Sequence, residues 1–399
     1  MKRSSGHNDF ERVVSINRLM LRIIGLWPPD NQDTRQVMKS KLRLLCSFNM
    51  VFFVLTIPAL ISLIRVWGDM ILMIENMQYS IPLLNTIFKF YIIWQKQTDL
   101  LPLIDMIKRD WVKPKAKEER DVMLRRARIT RAIAMYGLFA AAGTIIITLG
   151  FPCFGLILRQ VTNLTDSGKP LPIPSYYLHD ISQSPQFELT FLAQGFALIA
   201  CGCSYTGTDH FLGLLVLHVC GQLENLYLRL IHMGKYENFD IALKYNVQDH
   251  IRLIRSVEII DHTFDSMLLV LVLYFGILFC LQAFLIVDVS VVNQKDQLSL
   301  IQLVWFVSAI IYVSLHMFLY CAVGEILMTQ SEKIHQATYE YSWYNKKPKV
   351  AKNLMLIMLC ANKPLHITAG KTFPMTMSTF CNLLKTSAGY VSVLLTNQG

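Results

Sequence analysis

The sequence predicts an all-α membrane protein with seven transmembrane helices, a cytoplasmic N-terminus, an extracellular C-terminus and a helical cytoplasmic anchor. Three observations predict it. Hydrophobic residues make up 53% of the 399 and charged residues only 17%, against about 25% charged in an average soluble protein. The apolar residues fall in blocks of about 20, the length that crosses roughly 30 Å of hydrocarbon. The basic residues alternate sides: the segments 1–43, 95–131, 221–266 and 329–371 hold 32 of the 38 Lys and Arg, while 65–70, 159–186, 290–299 and the tail hold 4. Cytoplasmic loops carry the Lys and Arg excess, so the richer set is assigned inside. That distribution also accounts for the net charge of +10 without any nucleic-acid partner.

The seven spans follow in order. The first is 44–64, LLCSFNMVFFVLTIPALISLI. The second, 71–94, is the weakest, because Asn76, Gln78, Asn85 and Lys89 interrupt it. The third to sixth are 132–158, 187–217, 267–289 and 300–328, and the seventh is 373–396. Spans one to six, 44–328, form a bundle. The segment 329–371 is a cytoplasmic anchor. Within it, Lys349 to Cys360 is apolar but too short to span, and reads as a buried helix that Asn362-Lys363-Pro364 ends. Thr372 and Pro374 read as the start of the last span, Pro being tolerated in a first helical turn. The segments 95–131 and 221–266 read as helices continuing past the bilayer. The sequon Asn163-Leu164-Thr165 falls in the longest outer loop, where Asn163 is a glycosylation candidate. Residues 1–41 are polar and basic, without the apolar core of a signal peptide.

No catalytic constellation, phosphate loop or metal run is present, so an enzyme is not expected, nor is a cofactor or a bound metal. The nine cysteines lie mostly within or beside apolar runs as small hydrophobes, and Cys201-x-Cys203 has no partner pair at zinc spacing. Asp209, His210 and His218, toward the inner end of span four, allow a proton relay but read first as an interfacial or cytoplasmic helical extension. A G-protein-coupled-type chemoreceptor is the first alternative. The orientation count, the absence of Asp-Arg-Tyr after span three and of Asn-Pro-x-x-Tyr in span seven, and the cysteine-free 159–185 loop oppose it. A secondary transporter is the second; few acids near the midplane and no internal repeat oppose that.

The last fifty residues carry the most specific pattern: Ile357-Met358-Leu359-Cys360-Ala361-Asn362-Lys363-Pro364-Leu365, Ile367-Thr368-Ala369-Gly370, Phe373-Pro374-Met375-Thr376-Met377, Thr379-Phe380, Leu384-Lys385-Thr386-Ser387 and Tyr390. Ser331-Glu332-Lys333 with Ala337, Tyr339, Trp343 and Tyr344, and Asn17-Arg18, Arg22 and Gly25-Leu26-Trp27-Pro28, extend it. This closely resembles the insect odorant receptor family, specifically its ligand-tuned members, since the long second intracellular insert of the shared co-receptor is missing. The resemblance implies an odorant-gated, non-selective cation channel in the cell membrane of olfactory sensory neuron dendrites. It implies a hetero-tetramer with the co-receptor. A small volatile apolar ligand would sit in the outer half of the bundle, among membrane lipid, and cations would permeate along span seven. Trp343 and Tyr344 would pack in the anchor.

Chosen by helical face within the implied pocket region, the candidate odorant-binding residues are Asn76, Met77, Ser80 and Ile81 on span two, and Thr144, Ile147 and Phe151 on span three. Phe191 and Gln194 are the candidates on span four, and Trp305, Phe306 and Ala309 on span six. Val393, Thr396 and Asn397 share one face of span seven and, matched from the C-terminus, look like the family's extracellular gate and the polar ring beside it. Asn397 stands where the co-receptor is apolar, and four such amides would make a wetter gate. The chain is therefore expected to serve as a minority subunit.

Overall fold

The computed structural model of the chain describes residues 2–28, 34–153, 171–178, 180–181, 183–235, 238–292, 297–341, 343–345 and 347–396. Ten helices are named among them: α1 (Lys2–Ile23), α2 (Thr34–Arg65), α3 (Met70–Gln95), α4 (Gln97–Val112), α5 (Lys117–Cys153), α6 (Gln186–Ile231), α7 (Phe239–Val292), α8 (Gln297–Glu340), α9 (Pro348–Ala361) and α10 (Met377–Thr396). A two-residue hairpin, β1 (Thr368–Ala369) and β2 (Phe373–Pro374), precedes α10. Five of the described helices, α2, α5, α6, α7 and α8, are long and apolar enough to cross a membrane. α3 carries Glu75, Asn76, Gln78, Asn85 and Lys89 in its length. α10 has 20 residues, about 30 Å at 1.5 Å each.

The burial pattern is that of a protein solvated by lipid. On α5, Phe139 is 67% and Ile146 is 69% exposed, and on α6 Phe196 is 66% exposed. Apolar faces of that size are not stable against water. The tight core lies at the end rich in Lys and Arg, called here the basic end. There Phe10, Val14 and Leu21 of α1 and Ile24 just after it pack with Leu103, Ile107 and Trp111 of α4, Leu215 and Leu223 of α6, and Leu253 and Ile260 of α7. The spacing 10, 14, 17, 21, 24 is one helical stripe, and Asn17 on it is buried as well.

Local chemistry sets the element ends. α1 stops at Gly25, whose φ is +79°. Gly25 N–H donates to Arg22 O and Leu26 N–H to Leu21 O, a Schellman closure that needs a left-handed residue. A Cβ at Gly25 would lie 2.4 Å from Ser40 O, so the same glycine lets α2 cross. Within α2, Met50–Thr56 is a π-helical segment. Pro58, just after it, has no N–H to give, and Val54 O accepts the Tyr177 hydroxyl at 2.7 Å instead.

The segment 95–131 holds α4 and the start of α5, separated by Lys113 to Ala116 with Pro114. The segment 221–266 likewise breaks between Ile231 and Phe239. α9 matches the short apolar helix expected at 349–360: Leu354, Ile357 and Ala361 are buried. Its other face, with Leu356 and Leu359, is exposed. The last helix starts at Met377, four residues later than hydropathy suggests. The reason is the hairpin: Gly370 and Lys371 both have positive φ, and Thr372 N–H closes the turn on Ala369 O. Thr368 donates twice to Asp261 of α7, from N at 2.6 Å and Oγ1 at 2.8 Å. Met377 N–H reaches Glu325 of α8 at 3.2 Å. The C-terminal pattern is therefore a clasp that fixes where α10 leaves the basic end.

Candidate functional site

Two polar layers lie inside the apolar bundle. The first is at the end opposite the basic one. Asn76 of α3 donates to Ser62 Oγ of α2 at 2.8 Å. Ser80 donates to Asn76 Oδ1 at 2.8 Å, with its Oγ 3.5 Å from Ala59 O. All three polar side chains are buried, so this cluster binds α3 to α2. Gln194 of α6 is also fully buried; it accepts from Ile173 N–H at 3.2 Å and donates to Ser175 Oγ at 3.0 Å and Tyr177 Oη at 2.9 Å. It thereby holds the 171–178 segment over the bundle. The Arg65 guanidinium sits over the Tyr176 ring at 3.3 Å.

The second layer is at mid-length of α6, α7 and α8. Lys89 of α3 is fully buried and places Nζ 2.5 Å from Asp209 Oδ1. The other carboxylate oxygen, Oδ2, lies 2.8 Å from His316 Nε2 of α8. Lys89 Nζ also sits 3.6 Å from the centroid of Tyr205, a cation–π contact strengthened by desolvation. Beside this triad a cavity is lined by Tyr205, Leu271, Tyr274, Phe275, Tyr312, Val313, His316 and Met317. It is narrow, about 10 Å³, near the volume one water needs. The wall is mostly aromatic and aliphatic with a few converging polar groups, the make-up of a small-molecule site. Gly137 of α5 makes room for His210, since a Cβ there would fall 2.0 Å from its ring.

A lone Lys within a span requires an acid, because an unpaired buried charge is too costly. Lys89 is plain in the sequence, and of the two acids within 187–217, Glu188 and Asp209, it is Asp209 that meets it. Asp209 and His210, expected in an interfacial or cytoplasmic extension, are instead buried in the bundle. His218 belongs elsewhere: its Nε2 lies 3.0 Å from Asp110 Oδ2 at the basic end. Arg252 bonds the other oxygen of Asp110 at 2.5 Å. Burial raises the Asp110 carboxyl, but the hydrogen bond and charge of His218, with Arg252, outweigh it and hold the group below its ordinary value.

Of the candidates chosen by face, Asn76, Ser80 and Gln194 are thus engaged in hydrogen bonds between helices and loop. Met77 and Ile81 are half-buried beside them. Thr144 and Ile147 are exposed on α5. Phe191 is half-buried and packs its ring 6.1 Å from Phe187. Ala309 is half-buried on α8, one turn from Tyr312. Phe151 lies on α5, Trp305 and Phe306 on α8, and Val393 and Thr396 on α10, with side chains outside the described ones. Asn163 and Asn397 lie outside the described residues. Among the described residues no group of His, Cys, Asp and Glu is arranged to hold a metal ion.

A family model described as 7tm Odorant receptor matches residues 69–388. Odorant receptor Or2 of Anopheles gambiae is 23% identical over 357 residues, 86% of this chain and 89% of that receptor. Odorant receptor 10 of Aedes albopictus is 28% identical over 218 residues, 53% of this chain and 56% of that receptor, so the chain spans little more than half its length. Among solved structures, the insect olfactory receptor OR5 from Machilis hrabei in complex with eugenol has the same fold. The TM-score is 0.81 at 15% identity, over 97% of both chains.

Proposed function

Because the chain belongs to the 7tm odorant receptor family, a family of receptors and not enzymes, we propose that it is the odorant-binding subunit of a ligand-gated, non-selective cation channel. In this reading it crosses the cell membrane of an olfactory neuron seven times with the basic end cytoplasmic. It assembles with the shared odorant co-receptor into a hetero-tetramer. The observation that carries the reading is the aromatic cavity between α6, α7 and α8, in a chain whose fold is that of an olfactory receptor solved with eugenol. A small apolar odorant with one hydrogen-bonding group suits that wall: aliphatic and ring surface from Leu271, Val313 and Tyr312, and a polar contact from His316 or a tyrosine hydroxyl.

The cavity has room for about one water, so a ligand that enters it parts α8 from α6 and α7. α8 also grips the start of α10 through Glu325. Movement of α8 would therefore be felt at α10, where Val393, Thr396 and Asn397 are the proposed pore face. The exposed Leu356 and Leu359 of α9 and Tyr344 provide apolar surface for subunit packing at the anchor.

The test is current recording from cells expressing the chain alone, the co-receptor alone, or both, over a panel of volatile odorants. Odorant-evoked cation current from the pair, absent from the co-receptor alone, is expected. A correctly trafficked pair that answers none of a broad panel, or a response blocked by G-protein inhibitors, would overturn the reading.

A further inference from the structure

At the basic end, a cavity of about 490 Å³ opens between α1 and the start of α2, within the size range of small-molecule sites. Its described lining residues are Arg18, Arg22, Trp27, Pro28, Gln36, Lys39, Ser40, Leu42 and Arg43. Four are cations and none is an acid. Arg18 is partly neutralised by Glu11, 2.6 Å away, and its guanidinium is held between Phe10 and Trp27 at 5.8 and 5.5 Å from the ring centroids. Its Nε is buried without a hydrogen-bond partner among the described residues. Arg22, Lys39 and Arg43 have no carboxylate within salt-bridge distance among the described residues, and all three are exposed.

The neighbouring cavity of similar size shows what compensation looks like. There Lys113, Lys115, Arg229 and Arg252 are interleaved with Asp110, Glu119 and Asp249, and Arg229 and Arg252 are paired to them. Among the described residues, the α1–α2 cavity alone of the two is lined by cations with no acid; Asp30 and Asp33, in the segment joining the two helices, lie outside the described residues.

A second feature is apolar. Leu19 and Ile23 on α1, and Met38, Leu42 and Leu45 on α2, are 49–64% exposed. The spacings 19, 23 and 38, 42, 45 put each set on one helical stripe. These stripes border the cations, and Arg43 immediately precedes the apolar run beginning at residue 44. A cationic concavity flanked by exposed aliphatic side chains, at the level where a span leaves hydrocarbon, matches a phospholipid in both its parts.

We propose that the α1–α2 cavity binds the phosphate headgroup of an anionic phospholipid, with its acyl chains lying along Leu19, Ile23, Leu42 and Leu45. The phosphate oxygens accept hydrogen bonds from Arg22, Lys39 and Arg43. The lipid seats α1 against the membrane, and α1 in turn packs on α4 and α6. This rests on the chain being a membrane protein with its basic end at one leaflet, and not on the odorant reading.

The test uses the full chain in symmetric nanodiscs, so that orientation does not matter, and reads lipid binding directly, so that failure of the channel reading is seen separately. Wild type is compared with the triple variant Arg22→Gln/Lys39→Gln/Arg43→Gln and with a control triple, Lys347→Gln/Lys349→Gln/Lys352→Gln on α9. Retention of phosphatidylinositol phosphate and of phosphatidylcholine is measured by native mass spectrometry, with free inositol phosphate as competitor. The exposed positions leave folding intact, which monodisperse elution verifies. Anionic-lipid affinity should fall at least tenfold, toward the 100-fold expected from about 1 kcal/mol per cation, in the first triple only. Equal affinity in wild type and the first triple overturns the proposal, as does an equal loss in the control. Binding of free inositol phosphate as strong as that of the lipid would overturn the lipid as occupant.

Discussion

Replacing Lys89 with Met tests the buried triad most sharply. Lys89 is fully buried and the Asp209 side chain is 4% exposed, with Nζ 2.5 Å from Oδ1. Without the ammonium, the described polar neighbour left at ion-pair distance from the Asp209 carboxylate is His316 Nε2, 2.8 Å away. Breaking a buried pair from one side costs about 3–5 kcal/mol, because a charge is stranded in low dielectric. Removing both partners together, Lys89→Met with Asp209→Leu, leaves no stranded charge and should recover most of that loss. The assay is thermal unfolding of the detergent-solubilised receptor, followed by fluorescence-detected size exclusion. The single variant should lose on the order of 5–10 °C, and the double variant should lie close to wild type. A double variant as unstable as the two singles added together would refute the argument, because coupled partners must be non-additive.

Further outcomes follow from the same structure. Gly25→Ala forces a side chain into φ +79° and against Ser40 O; it should destabilise by about 1–3 kcal/mol and lower surface expression, read by surface biotinylation. Asp110 has a depressed folded pKa, so the His218–Asp110–Arg252 cluster stabilises the fold above the ordinary carboxylate value of 3.8 and loses that contribution as pH falls through the folded value. Asp110→Asn should flatten the acid limb of the melting-temperature profile, and an unchanged limb would place the acid sensitivity elsewhere. Asn163→Gln should remove any glycan-dependent gel shift. A shift gained only by a sequon engineered into 95–131 would contradict the proposed orientation.

Much of this architecture is legible in the sequence because lipid imposes it. A helix with Phe139 and Ile146 facing outward has to be written in apolar runs, and α9 is short enough to be told from a span by length alone. What hydropathy does not carry is which polar group meets which. Lys89 and Asp209 are 120 residues apart, and only the meeting of α3, α6 and α8 pairs them. Asn76, Ser80 and Gln194, chosen by face as odorant-binding candidates, are buried and hydrogen-bonded within the protein. A face does not say whether a polar atom turns to a ligand or to Ser62, Ala59 and the 171–178 segment. The late start of α10 escapes for a similar reason: composition across 373–376 looks like a helix entrance, while the positive φ at Gly370 and Lys371 makes it a hairpin. The tyrosines of the cavity are unremarkable one at a time, and their convergence on His316 belongs to tertiary structure.

Whether an odorant in the α6–α7–α8 cavity opens the channel is the central claim, and Tyr312→Ala tests it most directly. Dose–response currents are recorded with the co-receptor present and surface expression matched, using an odorant active on wild type. Loss of a ring lining a small apolar site weakens binding by about 1–3 kcal/mol, so half-maximal concentration should rise roughly tenfold or more, with Phe191→Ala on the outer part of α6 changing little. An unchanged curve for Tyr312→Ala beside a shifted one for Phe191→Ala would contradict the account and move the site toward the outer end of the bundle.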